Sequence, residues 1–139
     1  MFAVKHPKRG WEQREGIPTL AQMQEIVGGN IEHFYLPLKG RMGNEKQIDL
    51  FVNEEGKLLD LPVNIGILNI DELALVDILV GPIIAVRHDL EGETATLTDD
   101  DLGILKRLEG AVKTEELVFI PAEHEMFSYA LRRLGRESS

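Results

Sequence analysis

The chain has no cysteine in 139 residues, which excludes disulfides, thiolate zinc sites and thiol nucleophiles. No apolar run approaches the roughly 18 to 20 residues that a bilayer span requires, and the opening MFAVKHPKRGWEQ lacks the apolar centre of a secretion signal. The expected address is the cytoplasm. Positive charge is also scarce, with 15 Lys and Arg against 24 Asp and Glu and a formal net charge of −9. Sequence-independent nucleic-acid binding is driven by basic groups displacing phosphate counterions, so this balance disfavours it.

Catalytic signatures are thin. The serines are Ser128, Ser138 and Ser139, and none sits in a Gly-x-Ser-x-Gly elbow. Histidines stand scattered at 6, 33, 88 and 124, and the compact cluster Glu123-His124-Glu125 would point in three directions on a helix. No paired ligand spacing marks a zinc site. The expectation is a non-enzymatic protein with no cofactor, no metal and no catalytic residue.

What is present is an ordinary apolar content of 43%, enough for a packed core in a single domain over residues 1–139. The charge is uneven. Lys5, Lys8, Arg9 and Arg14 lie early and Arg132, Arg133 and Arg136 late, while Asp89 to Asp101 carries six acidic residues and no Lys or Arg. That acidic run reads as a solvated loop and helix start, or as a docking surface for a basic partner.

FAVKH forms an opening strand, and PKRGWEQREGIP reads as an exposed loop. Thr19 then caps a helix, with Gln22 as the other half of a capping box and Leu20, Met23, Ile26 and Val27 on its apolar face. In EIVGGNIEHFYLP the glycines follow a helix. A phosphate-binding loop has the opposite order, so Gly28 is expected to close the helix in a left-handed conformation. IEHFYLPL and KQIDLFVN alternate as neighbouring antiparallel strands, joined by the polar connection KGRMGNE. NEEGK reads as a type I turn with Gly56 left-handed, returning through a short strand LLDLP.

NIDELALVDIL is expected to be a brief helix capped by Asp71, followed by a strand interrupted at Gly81-Pro82. Thr98 caps a second clear helix in LTDDDLGILKRLEG, where Asp99 to Asp101 favour its positive start and Leu102, Leu105 and Leu108 face inward. EELVFIP is a strand, and AEHEMFSYALRRLG an amphipathic closing helix with Phe127, Ala130, Leu131 and Leu134 on its apolar side. The fold class is therefore α+β, a mainly antiparallel sheet packed with about three helices on one side.

Trp11 stands out among the aromatic residues, because it lies in a basic segment beside Lys8, Arg9 and Arg14. Two readings remain open, an interface anchor or a ring folded back over the sheet edge.

In this order, PTLAQMQEIVGGNIE, VNEEGKLLDLPVN, DILVGPIIAV and LTDDDL resemble a family of small phage and mobile-element proteins classed as a domain of unknown function. The resemblance covers roughly residues 1–102 and leaves 103–139 as a C-terminal extension. It implies a phage setting and no established enzyme activity. In size, acidity and mixed fold the chain is also similar to the host RNA polymerase inhibitors carried by Thermus phages. That likeness implies a regulatory protein that binds bacterial RNA polymerase at the β-subunit flap and the σ factor and inhibits or redirects host transcription. The candidate contacts are Arg9, Trp11, Arg14, Arg132, Arg133 and Arg136. The rival expectation is an anti-defence protein that binds or hydrolyses a signalling nucleotide, with Arg41 and Lys46 of KGRMGNE meeting its phosphate.

Overall fold

The computed structural model describes residues 1–35, 48–69, 71–72, 75–107, 112–113, 117–125 and 127. Among these are ten strands, which form two antiparallel sheets, and two helices.

The first sheet is built from β1 (Phe2–Lys5), β2 (Trp11–Arg14), β3 (Ile31–Tyr35), β4 (Ile48–Asn53) and β7 (Ile83–His88) in the order β2-β1-β7-β4-β3. The two-residue β8 (Thr94–Ala95) pairs with the end of β7. As the alternation predicts, β3 and β4 pair antiparallel, with Phe34 opposite Leu50. The strand between β1 and β4 is β7, from far along the chain, and its inner position explains the run Ile83, Ile84, Ala85 and Val86, all buried. A strand covered on both faces gains nothing from alternation.

The second sheet runs β6-β5-β10-β9, from β6 (Leu75–Val80), β5 (Val63–Asn69), β10 (Leu117–Pro121) and β9 (Val112–Lys113). Ile65, Ile67, Leu79 and Phe119 from this sheet join Ala3, Ile48, Leu50, Val52 and Ala85 of the first in the main core. Phe2, Val4, Ile84 and Val86 point the other way and meet Met23 and Val27 of α1 (Leu20–Val27). Strand alternation thus divides the first sheet into a face under α1 and a face under the second sheet.

The cap expectations for α1 hold. Thr19 Oγ1 accepts from the Gln22 N–H at 3.1 Å, Gln22 Oε1 accepts from the Thr19 N–H at 2.8 Å, and Gly28 closes the helix at φ 81°. In α2 (Asp99–Arg107) the box is Thr98 and Asp101, each side chain accepting the other's backbone N–H, and Ile104 and Leu105 are buried.

Several expectations are corrected. Two helices, not about three, are found among the described residues, and they lie on opposite faces of the first sheet, since α1 meets one cluster and α2 the other. The expected closing helix AEHEMFSYALRRLG lies outside the described residues except for 122–125 and Phe127. The supposed loop PKRGWEQREGIP contains β2, because Trp11 opposite Lys5 completes a hairpin with β1. NEEGK does turn, the Gly56 N–H donating to the Asn53 carbonyl at 3.1 Å, but Gly56 is not left-handed: positive φ falls at Asp60, and a Cβ on Gly56 would come within 2.7 Å of Val80 Cγ2. Gly56 is needed for close approach. LLDLP forms no returning strand; residues 54–60 are turns that carry the chain into the second sheet. The helix expected in NIDELALVDIL is replaced by β6, preceded by a turn in which Asn69 Oδ1 accepts from the Asp71 and Glu72 N–H groups. Gly81-Pro82 does not interrupt one strand. It passes the chain from the outer strand β6 of one sheet to the inner strand β7 of the other, with Gly81 at φ 70°.

Candidate functional site

Three adjacent strands bring two histidines to one carboxylate. Asp49 on β4 receives His33 Nε2 of β3 on Oδ1 and His88 Nδ1 of β7 on Oδ2, each at 2.9 Å. Their strand neighbours Ile31, Phe51 and Val86 place all three on the α1 face, and the His33 ring stacks on Phe51 at a centroid distance of 5.0 Å. A carboxylate accepts and an imidazole N–H donates, so Asp49 holds His88 with its proton on Nδ1 and its basic lone pair on Nε2. This is the orientation a general base requires. Among the described residues no hydroxyl is bonded to the His88 imidazole, and no group of three or more His, Asp or Glu is arranged to hold a metal ion, this row included. The row joins β3, β4 and β7 through the two hydrogen bonds to Asp49.

Two further polar groups tie the layers together. Lys5 and Asn64 are fully buried, and Lys5 Nζ donates to Asn64 Oδ1 at 2.7 Å and lies 3.2 Å from Glu123 Oε1. Asn64 Nδ2 in turn donates to the Lys5 and Gly81 carbonyls at 2.7 and 2.8 Å. On the face toward α2, Arg87 donates to both oxygens of the buried Asp101 at 2.7 and 2.8 Å. Buried ionic groups need such complete partnership, because desolvation is otherwise unopposed.

The surface feature that stands apart is a cavity of about 110 Å³ where outer strand β3 of the first sheet faces outer strand β6 of the second. Phe34, Val52, Leu79 and Val80 supply its apolar wall, and Leu58 from the 54–60 turns stands at its mouth, 87% exposed. Its charged lining is three carboxylates, Glu32, Glu54 and Asp77, against one ammonium, Lys57, which is paired with Asp77 at 2.6 Å.

Of the residues proposed from sequence, Arg9, Trp11 and Arg14 are among the described ones, and they do not form one surface. Arg9 lies in the exposed turn between β1 and β2, its N–H bonded to the His6 carbonyl. Arg14 ends β2, 4.0 Å from Glu12, and lines a shallow groove with Glu15 and Glu25. Trp11 is no exposed anchor: at 7% exposure it packs in the main core, so of the two readings the folded-back ring is correct. Its partner across the hairpin, Lys5, faces the same core, and that register turns the indole inward. Arg132, Arg133, Arg136, Arg41 and Lys46 lie outside the described residues.

Sequence reading missed His33, Asp49 and His88 as a group. Alternation puts His33 and Asp49 on the face opposite Phe34 and Leu50 of two strands already expected to pair, which was the available signal. His88 carries no such signal, since its strand is 30 residues further along and enters beside β4 only through tertiary pairing. A strand reading of LLDLP does not signal the exposure of Leu58.

Among the described residues no helix is long and apolar enough to cross a membrane. No curated protein and no solved structure matches the chain. A family profile matches residues 4–110, which includes the second half of β1, the whole of β2, β3, β4, β7 and β8, and both helices. The chain therefore belongs to the family described as Domain of unknown function (DUF3846).

Proposed function

We propose that this protein is a non-enzymatic regulator that works by binding a macromolecular machine of a bacterial host. The specific target is RNA polymerase, engaged at the β-subunit flap and the σ factor, and the outcome is inhibited or redirected transcription. The observation that carries a binding role is the contrast between interior and surface. Inside, the charged side chains of Lys5, Asp101 and Arg87 are bonded to protein partners; outside, Leu58 stands beside an apolar cavity with an acidic lining. An exposed apolar site rimmed by polar groups is the usual mark of an interaction surface. The likeness in size, acidity and mixed fold to polymerase inhibitors of Thermus phages supports the choice of target, and the net charge of −9 suits a basic protein surface over nucleic acid.

The test is retention of purified polymerase core, holoenzyme and free σ on the immobilised protein, paired with transcription from a σ-dependent promoter. Retention together with loss of promoter-dependent transcripts is expected. If neither polymerase nor σ is retained, this target is wrong.

A further inference from the structure

We infer that the mouth between β3 and β6 docks a basic amphipathic segment of a partner protein, one apolar side chain entering the cavity beside Leu58 while its cations meet Glu32 and Glu54. The inference rests on the binding role proposed above and assigns it to a surface that the sequence did not single out.

Size sets the first condition. The cavity of about 110 Å³ exceeds the ~30 Å³ share of a water molecule and falls below the ~150 Å³ of a cavity that takes up benzene. One aliphatic side chain fits. The wall is apolar because it is the open end of the main core: Phe34 packs against that core, and Val52 and Leu79 are members of it. An entering apolar group thus extends packing that already exists, which is how helix-in-groove recognition works.

Charge sets the second condition. Lys57 is paired with Asp77, while among the described residues neither Glu32 nor Glu54 has an ion-pair partner. Glu55 and Asp60, on the same turns as Leu58, are exposed as well. A neutral or acidic partner would bring an apolar residue into a negative field, whereas lysines or arginines flanking that residue turn repulsion into attraction and steer the approach. The occupant is therefore basic. Leu58 at 87% exposure and Leu59 at 55% then supply the apolar ledge on which such a segment lies.

The experiment uses the full chain and a fluorescein-labelled leucine–lysine peptide whose leucines recur at helical spacing, read by anisotropy. One control peptide carries glutamate in place of lysine; another has the same composition scrambled so that no apolar face forms. The patterned lysine peptide is expected to bind at least about tenfold more tightly than either control. Leu58→Asp and, separately, Glu54→Lys are expected to weaken it by about tenfold or more, with far-UV circular dichroism and melting unchanged because both side chains are exposed. Equal binding of the scrambled peptide would reduce the effect to charge alone and overturn the inference. So would unchanged binding to both folded variants, or a dimer seen by sedimentation that Leu58→Asp dissolves, which would make a second copy the occupant. Polymerase retention by the wild type that Leu58→Asp leaves intact sinks this surface but not the binding role. Absence of retention by the wild type sinks the polymerase reading, while the peptide titration still decides the surface.

Discussion

Replacing Asn64 by alanine removes the central piece of the polar tie between the two sheets, and its cost can be worked out bond by bond. The side chain is fully buried and makes three hydrogen bonds: two donated to the Lys5 and Gly81 carbonyls and one accepted from the Lys5 ammonium. A neutral bond contributes about 1 kcal/mol and one to a charged group about 1.5–3 kcal/mol. Glu123 remains 3.2 Å from the ammonium after the substitution, so the charged contribution belongs at the low end of its range. The expected destabilisation is about 3–4 kcal/mol. At roughly 3–5 °C per kcal/mol for a chain of this size, that lowers the melting temperature by about 10–20 °C. Urea denaturation followed by far-UV circular dichroism measures it directly. Asn64→Asp is also expected to destabilise, although it offers Lys5 a counter-charge, because a carboxylate cannot donate to the two carbonyls. Adding Lys5→Met to Asn64→Ala should cost less than the two single changes together by about 1 kcal/mol or more, since they share a bond. A loss below about 1 kcal/mol for Asn64→Ala, additive with Lys5→Met, would refute the enclosed tie between the layers.

Asp101→Ala strips a buried carboxylate from Arg87 and removes half of the α2 capping box, so a loss of about 3–5 kcal/mol is expected in the same denaturation assay. Gly66→Ala puts a Cβ within 2.7 Å of the Phe127 ring and should cost about 1–3 kcal/mol, an effect expected to shrink when Phe127 is also alanine. Asp49→Ala should abolish the fixed tautomer of His88, which nitrogen-15 NMR would record in the wild type as a proton on Nδ1 and in the variant as a mixture. Finding the same tautomer in both would mean that Asp49 does not orient that imidazole.

How far the sequence reached differs between elements for physical reasons. The capping box at Thr19 and Gln22, the left-handed Gly28 and the acidic start of α2 were legible because each is settled within one turn of backbone. The pairing of β3 with β4 was legible because both alternate and they are consecutive in the chain. The segment 71–80 was not, because Leu75, Val76 and Leu79 match helical spacing as well as they match a strand, and pairing with β5 decided in favour of the strand. Trp11 misled for a related reason: its neighbours are basic and polar, and only the hairpin register turns it into the core.

By itself, the sequence determined the local punctuation of this protein, its acidic surface and the absence of thiol chemistry. Tertiary structure alone decided that β7 would lie between β1 and β4, that the chain would cross between sheets at Gly81-Pro82, and that His33, Asp49 and His88 would meet. Caps and turns are governed by backbone hydrogen bonds over three or four residues, whereas the partner of a buried strand is chosen by which apolar faces can be covered together, and residue spacing along the chain does not encode that choice.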